Sequence, residues 1–293
     1  MRFKTTALVL ALALAFTLAP AAARAADDGV GTAASLDIGM GARALGMGGA
    51  HIAVADDAAA IYYNPAGLAL VSGRNVTSLY TSQFGAAGYV ALGYAQKNIG
   101  VGLLRLDASG IEETDEFANV TGVFGVTDLA AIVGYGATVF SNLSLGASAK
   151  LYQQTLPENT GRGVTFDAGA ILSLIDGKLR LGAVGRNLIG SLKYTSGETD
   201  PFDRSFGVGV AFCPIENLTI AGDAVLKGGF TGKLGAEYRF KQIAVRAGGS
   251  FGGGQTSITA GAGFGLPGFS IDYAYQTHNV LPDSHRLSLC VKF

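Results

Sequence analysis

The sequence predicts an all-β fold, a transmembrane antiparallel β-barrel of about 14 strands. Three observations carry that prediction. From Arg74 onward the chain parses into about 14 short runs in which apolar and polar residues alternate, the period-2 pattern of a strand with unlike faces. The composition is 49% hydrophobic and 15% charged, against about 25% charged in an ordinary soluble domain, yet no later stretch is long and apolar enough for a spanning helix. Finally, tight turns alternate with longer connections along the chain. This sorting is expected when one end of a barrel faces the periplasm and the other the outside.

The expected strands are Arg74–Thr81, Gly88–Gln96, Ile99–Ala108, Thr127–Val139, Leu143–Gln153, Gly163–Ile175, Leu179–Leu188, Ser205–Cys213, Asn217–Leu226, Thr231–Phe240, Ile243–Phe251, Thr256–Leu266, Gly268–Thr277 and His285–Phe293. The tight turns are Lys97-Asn98, Phe140–Asn142, Asp176–Lys178, Pro214–Glu216, Lys241-Gln242 and Pro267. The longest connections are Ser109–Val126, Gln154–Arg162 and Ile189–Arg204. An even strand count places both ends of the barrel on the short-turn side.

The late strands show two faces. Leu234, Ala236, Tyr238 and Phe240 oppose Lys233, Glu237 and Arg239, and Phe269, Ile271, Tyr273 and Tyr275 oppose Ser270, Asp272 and Gln276. No charge falls on the apolar face of these strands, as a lipid-facing wall requires, because a cation there costs about 2–4 kcal/mol at mid-depth. In the third strand, Ile99, Val101 and Leu103 share parity with Arg105 and Asp107, so a bulge is expected between them. The same alternation in a soluble β-sandwich would turn the apolar face inward, but that many strands would have to share one core.

The last run places Leu287, Leu289, Val291 and Phe293 on one face. An ending of this kind resembles the C-terminal strand of bacterial outer-membrane barrels. It implies recognition of these four residues by the barrel-assembly machinery, a location in the cell outer membrane and contact with outer-membrane lipid.

Three regions are expected. Residues 1–25 read as a signal peptide, with Arg2 and Lys4 ahead of an apolar run and Ala23-Arg24-Ala25 as the cleavage motif. Residues 26–72 form a segment of different character, and 73–293 the barrel. Net charge is −1, which gives no electrostatic case for nucleic acid. Glycine is abundant at 44 residues while proline numbers only 7, so a tightly coiled sheet fits better than disorder. Cys213 and Cys290 fall on strands nearly opposite in the ring, too far apart to bridge.

In the second region, glycines suited to tight turns precede Asp56 and Asp57, either of which can cap a short helix over Ala58–Tyr62. Asn64-Pro65-Ala66-Gly67 is the turn expected to end it. The run from Gly41-Ala42-Arg43 through Gly48-Gly49-Ala50 and Ala55-Asp56-Asp57 to Tyr63-Asn64-Pro65-Ala66-Gly67-Leu68 resembles the start of PorV/PorQ family outer-membrane proteins. Those belong with the FadL-like long-chain fatty-acid transporters. The resemblance implies a 14-stranded barrel whose N-terminal segment folds inside the lumen as a hatch, with Asp56, Asp57, Asn64, Pro65, Ala66 and Gly67 at its turn. The chain is shorter than the family pattern, and it shows no counterpart of the long apolar loops that capture ligand outside.

A barrel of this size is too wide for wall side chains alone to fill. Lys150, Arg186, Lys233, Glu237, Arg239, Arg246, Asp272 and Arg286 are expected to face the lumen, where they meet either the hatch or one another. Glu112, Glu113, Asp115 and Glu116 form an acidic outer loop expected to be solvated. Three isolated histidines and two distant cysteines offer no metal site. Asp283-Ser284-His285 are sequence neighbours, which seldom reach triad geometry. No enzyme and no cofactor is expected. The leading expectation is passage of small hydrophobic compounds across the outer membrane. The alternative is a non-transporting subunit of a protein secretion or surface-assembly complex, with another protein of that complex as partner.

Overall fold

In the computed structural model, residues 32–293 are described. The expected signal peptide lies outside them. Sixteen strands form: β1 (Arg74–Gln83), β2 (Ala87–Gln96), β3 (Ile99–Thr114), β4 (Val120–Phe140), β5 (Leu143–Thr155), β6 (Thr160–Leu174), β7 (Leu179–Arg186), β8 (Ser191–Tyr194), β9 (Thr199–Pro201), β10 (Ser205–Phe212), β11 (Leu218–Leu226), β12 (Phe230–Phe240), β13 (Ile243–Gly252), β14 (Gln255–Leu266), β15 (Phe269–Gln276) and β16 (Ser284–Lys292). Fourteen of them close a ring. Each of β1–β7 and β10–β16 pairs antiparallel with its neighbours, β7 pairs with β10, and β1 pairs with β16. Closure leaves no open edge, which is what the hydrocarbon demands of a sheet.

The burial pattern is that of a protein turned inside out. Leu234, Tyr238, Ile243, Val245, Ile271 and Leu289 are all exposed, and their neighbours in sequence point inward. Aromatic residues gather on the outer surface at both ends of the wall. Phe140, Phe212, Phe240, Phe264 and Phe293 sit toward the short turns, with Tyr80, Phe166, Phe206, Phe230 and Phe251 toward the other end. Such girdles mark the two membrane interfaces. The barrel is therefore an outer-membrane barrel, short turns toward the periplasm.

Three expectations are corrected. Ser109–Val126 is not a loop: β3 and β4 run on as a hairpin as far as Thr114 and Val120, because Ile111↔Phe124 and Glu112↔Val123 continue the ladder. Of the acidic loop residues, Glu112 and Glu113 lie on β3, and Asp115 and Glu116 lie at the hairpin tip. No bulge separates Leu103 from Arg105, since β2 and β3 stay in register from Ile99 to Ala108. Arg105 lies on the outward face and pairs with Asp107 on the same strand, Nε to Oδ2 2.6 Å. About six residues from the periplasmic end of β3, the pair sits toward the outer interface, where a charge is tolerated. The bulge occurs later, between Ala108 and Ile111. The third correction is Ile189–Arg204, which contains the short hairpin β8–β9. Its Leu192, with the following Phe202, turns inward and is buried.

Residues 33–73 lie inside the ring. Turns at Ala34–Asp37, a helix at Ala42–Gly46, a helix at Ala60–Tyr63 and a 3-10 helix at Pro65–Leu70 follow one another. Most of this stretch is buried, including Met40, Met47, Ile52, Ile61 and Leu68. The helix expected over Ala58–Tyr62 starts at Ala60, and Asp57 Oδ1 accepts from the Ala59 N–H at 2.9 Å. Asn64-Pro65 does not only end that helix. Asn64 is the N-cap of the 3-10 helix, its Oδ1 accepting the Ala66 N–H at 3.1 Å, with Pro65 at the first position, where a missing N–H costs nothing.

Candidate lumen site

The N-terminal segment touches the wall almost all the way round. Ala42 N–H donates to Ser288 Oγ on β16 (2.7 Å), and Gly48 N–H to Thr259 Oγ1 on β14 (2.9 Å). On β11, Asp223 Oδ2 accepts the N–H groups of His51 (2.8 Å) and Ile52 (3.0 Å). Asn64 Nδ2 reaches Ile52 O (3.0 Å), Ala170 O on β6 (3.2 Å) and Ala183 O on β7 (3.4 Å). Asn98 N–H, in the turn after β2, donates to Leu68 O at 2.9 Å. These bonds satisfy backbone groups that would otherwise be stranded away from water.

Close approach explains part of the glycine content. Gly169 on β6 lies under Asn64, and a Cβ there would drive into Asn64 Oδ1. Gly248 on β13 lies against the Met47–Gly48 backbone, which a Cβ would strike. Glycine is the one residue that lets two backbones meet at this range.

The eight charged wall residues expected in the lumen divide by depth. Toward the periplasm lies a dense network. Glu237, 1% exposed, is held by Arg43 of the segment (3.1 Å), Arg239 (2.8 Å) and Arg246 (2.7 Å). Arg43 also grips Asp56 and Asp57, each at 2.9 Å. Arg246 bridges on to Asp272 at 2.7 Å, and Arg180 reaches Asp56 at 3.4 Å. Four guanidinium groups thus meet four carboxylates. Burial alone would raise the Asp56 carboxyl, but Arg43, with Arg180 behind it, outweighs burial and holds it below the usual carboxylate range. A cleft of about 240 Å³ beside this network is lined by Arg43, Asp57, Arg239, Asp272 and Cys290.

Farther out, Lys150 pairs with Asp167 at 2.7 Å. Arg186 donates to Tyr63 O at 2.7 Å, and Arg286 to Gln276 Oε1 at 2.5 Å. Lys233 forms no hydrogen bond or ion pair among the described residues and lies beside Gly49. Four tyrosine hydroxyls engage residues 35–40. Tyr62 donates to Leu36 O (2.6 Å) and Tyr89 to Gly39 O (2.9 Å), while Tyr63 accepts from Met40 N–H (3.3 Å) and Tyr152 meets Ser35 Oγ (3.1 Å). These rings belong to one apolar cluster with Leu36, Leu104, Ile132, Leu192 and Phe202.

Sequence reasoning missed Arg180, Asp167 and this tyrosine set. The inward parity of Tyr89 and Tyr152 carried a signal, but their partners on the segment carried none. Cys213 and Cys290 are free thiols. Among Asp283, Ser284 and His285 no mutual contact forms. His285 Nδ1 meets Tyr273 Oη at 2.6 Å, and Asp283 takes the Tyr275 hydroxyl. Among the described residues no group of side chains could hold a metal ion.

No family model matches the chain, and no curated protein sequence matches it. Solved structures do. A TodX deltaS2S3 mutant, a monoaromatic hydrocarbon channel, is 16% identical, with a TM-score of 0.63 over 87% of this chain and 99% of that one. The toluene transporter TodX of Pseudomonas putida is 17% identical, with a TM-score of 0.59 over 86% of this chain and 97% of that one. At such identity the likeness is one of fold. The chain has the architecture of a 14-stranded outer-membrane barrel similar to that of TodX.

Proposed function

We propose that this protein is an outer-membrane channel for small hydrophobic compounds, and that residues 32–73 are its hatch. One observation carries the reading: the segment lies across the lumen and is bonded to β6, β7, β11, β14 and β16. A barrel of 14 strands would otherwise hold an aqueous pore. The tyrosine-lined apolar cluster beside residues 35–40 offers a dry surface for a compound entering from outside. The likeness to TodX, which is described as a toluene transporter, supports the choice of small apolar solutes. The hatch turn at Asp56, Asp57 and Asn64–Gly67 is the part that must shift for passage, because it ties the segment to both Glu237 through Arg43 and the β6–β7 wall. Leu287, Leu289, Val291 and Phe293 serve as the signal to the barrel-assembly machinery.

The test is paired. Cells producing the intact chain should take up toluene faster than cells without it, while single channels of the intact chain in planar bilayers stay closed to ions. Removing residues 33–71 should give a steady ion conductance. Equal conductance with and without the segment would overturn the hatch, and unchanged toluene uptake would overturn the channel. A role in a secretion or surface-assembly complex, on the PorV pattern, would show instead as a stable large complex on mild extraction.

A further inference from the structure

The β8–β9 hairpin takes no part in closing the ring. It adds instead to the outer end of β6, through Gly161↔Tyr194, Arg162↔Lys193 and Gly163↔Leu192. Leu192 turns inward and is buried. The opposite face of the hairpin sets Lys193 directly across from Arg162, and both are exposed. Side chains directly opposite on an antiparallel pair share a face, and like charges placed there repel. Among the described residues neither cation has a carboxylate in ion-pair range. Glu158 and Glu198, in the two adjoining loops, pair with neither, and Asp200 stands opposite the inward Leu192. Arg105, on the same outer face of the wall, differs in carrying its own Asp107.

The two cations are held in place. Arg162 Nε donates to Gln153 Oε1 of β5 at 3.0 Å, which turns the rest of the guanidinium fork outward. The loops above are tied together: Thr195 Oγ1 donates to Asn159 Oδ1 at 2.8 Å, and Thr160 N–H donates to Thr195 Oγ1 at 3.1 Å. Just below the pair the wall is apolar. Leu151 and Val164 face each other in register, and Leu188 N–H donates to Phe166 O at 2.9 Å, which brings Ile189 beside Phe166. Leu151, Val164, Phe166 and Ile189 are all exposed. Phe166 belongs to the outer aromatic girdle. Arg162 lies four residues farther out on β6, about 10 Å higher along the membrane normal for a tilted strand. That is the depth of lipid headgroups above an acyl-chain surface.

An arginine fork beside a lysine suits a phosphate. A phosphate between them also relieves their mutual repulsion. The apolar shelf is continuous with the lipid-facing wall, so the phosphate that fits is one joined to acyl chains. We propose that Arg162 and Lys193 form a docking site for a phosphorylated glycolipid of the outer leaflet, of the lipid A class. Its phosphate sits between the two cations, and its chains lie on Leu151, Val164, Phe166 and Ile189. The site lies outside the barrel and is independent of any passage through it.

The experiment is native mass spectrometry of the full chain in non-ionic detergent with EDTA, so that no divalent cation can bridge phosphate to protein. The probes are bisphosphoryl lipid A, the same lipid without phosphates, and phosphatidylglycerol, with inorganic phosphate as competitor. The wild type is compared with Arg162→Gln/Lys193→Gln and with Arg105→Gln; heat-modifiable gel mobility verifies that each barrel is folded. Bisphosphoryl lipid A should bind the wild type more tightly than either other lipid. The double variant should lose about tenfold or more in that affinity, and Arg105→Gln should stay close to wild type. Binding indifferent to the double substitution would overturn the site. Equal binding of the dephosphorylated lipid would overturn phosphate recognition, and equal binding of phosphatidylglycerol would overturn the glycolipid. Displacement by inorganic phosphate at the concentration of the lipid would overturn the lipid and leave a free oxyanion as ligand.

Discussion

At the scale of single residues, Asn64 does the most with the fewest atoms. Its amide nitrogen faces three carbonyls and its oxygen caps the following turn. The side chain is completely buried, so truncation leaves those groups without water to replace it. Asn64→Ala should weaken hatch docking by about 1–3 kcal/mol while the barrel still folds. Single-channel recordings should then show frequent brief openings, and a silent Asn64→Ala channel would remove the residue from the docking account. The sequence marked Asn64-Pro65 as a turn because proline and asparagine punctuate the backbone by themselves. It did not mark Ala170 and Ala183 as partners, since a carbonyl has no side-chain signature. Lys233 shows the same limit: its inward face followed from parity, but its lack of a partner depends on the other strands.

At the scale of elements, the wall was the most legible part. Period-2 alternation needs no knowledge of tertiary contacts, and the expected strand starts and ends fall close to the observed ones. The exceptions are instructive. The β3–β4 hairpin rises beyond the membrane, where both faces meet water and alternation fades. Its residues therefore read as loop although their backbone bonds continue. The lumen segment has no such period because it is packed from several directions at once. For the wall itself, Ile271→Arg on β15 should cost about 2–4 kcal/mol and reduce folding yield into bilayers. Ser250→Arg, on the inner face of β13, should fold nearly as well as wild type. Equal yields for the two substitutions would overturn the assignment of faces.

At the scale of the whole molecule, charge gathers toward the periplasmic side of the interior, where four guanidinium groups meet four carboxylates. That network binds the N-terminal segment to the wall, and its dependence on acid follows from Asp56. Its carboxyl sits below the ordinary range because Arg43 outweighs the cost of burial. A depressed carboxylate supports docking fully above its free value of about 3.9, and the support fades as pH falls through the lower docked value. Ion conductance of the intact channel should therefore be equally low at pH 7 and pH 5 and rise only below about pH 4. A rise already between pH 7 and pH 5 would assign the control of docking to a group that titrates near neutrality.

The pairing of β1 with β16 joins the first strand of the ring to the last, with residues 33–73 already inside. A ring that shuts around part of its own chain cannot be filled afterwards without threading that part through a finished hole. The order of events in biogenesis is thereby constrained. The leading stretch has to be tucked in while the sheet is still an open ribbon, and the seam has to be the final join. Between the docking of the leading stretch and the pairing of β1 with β16 there is then a waiting period, in which the barrel is held ajar for the passenger it will enclose.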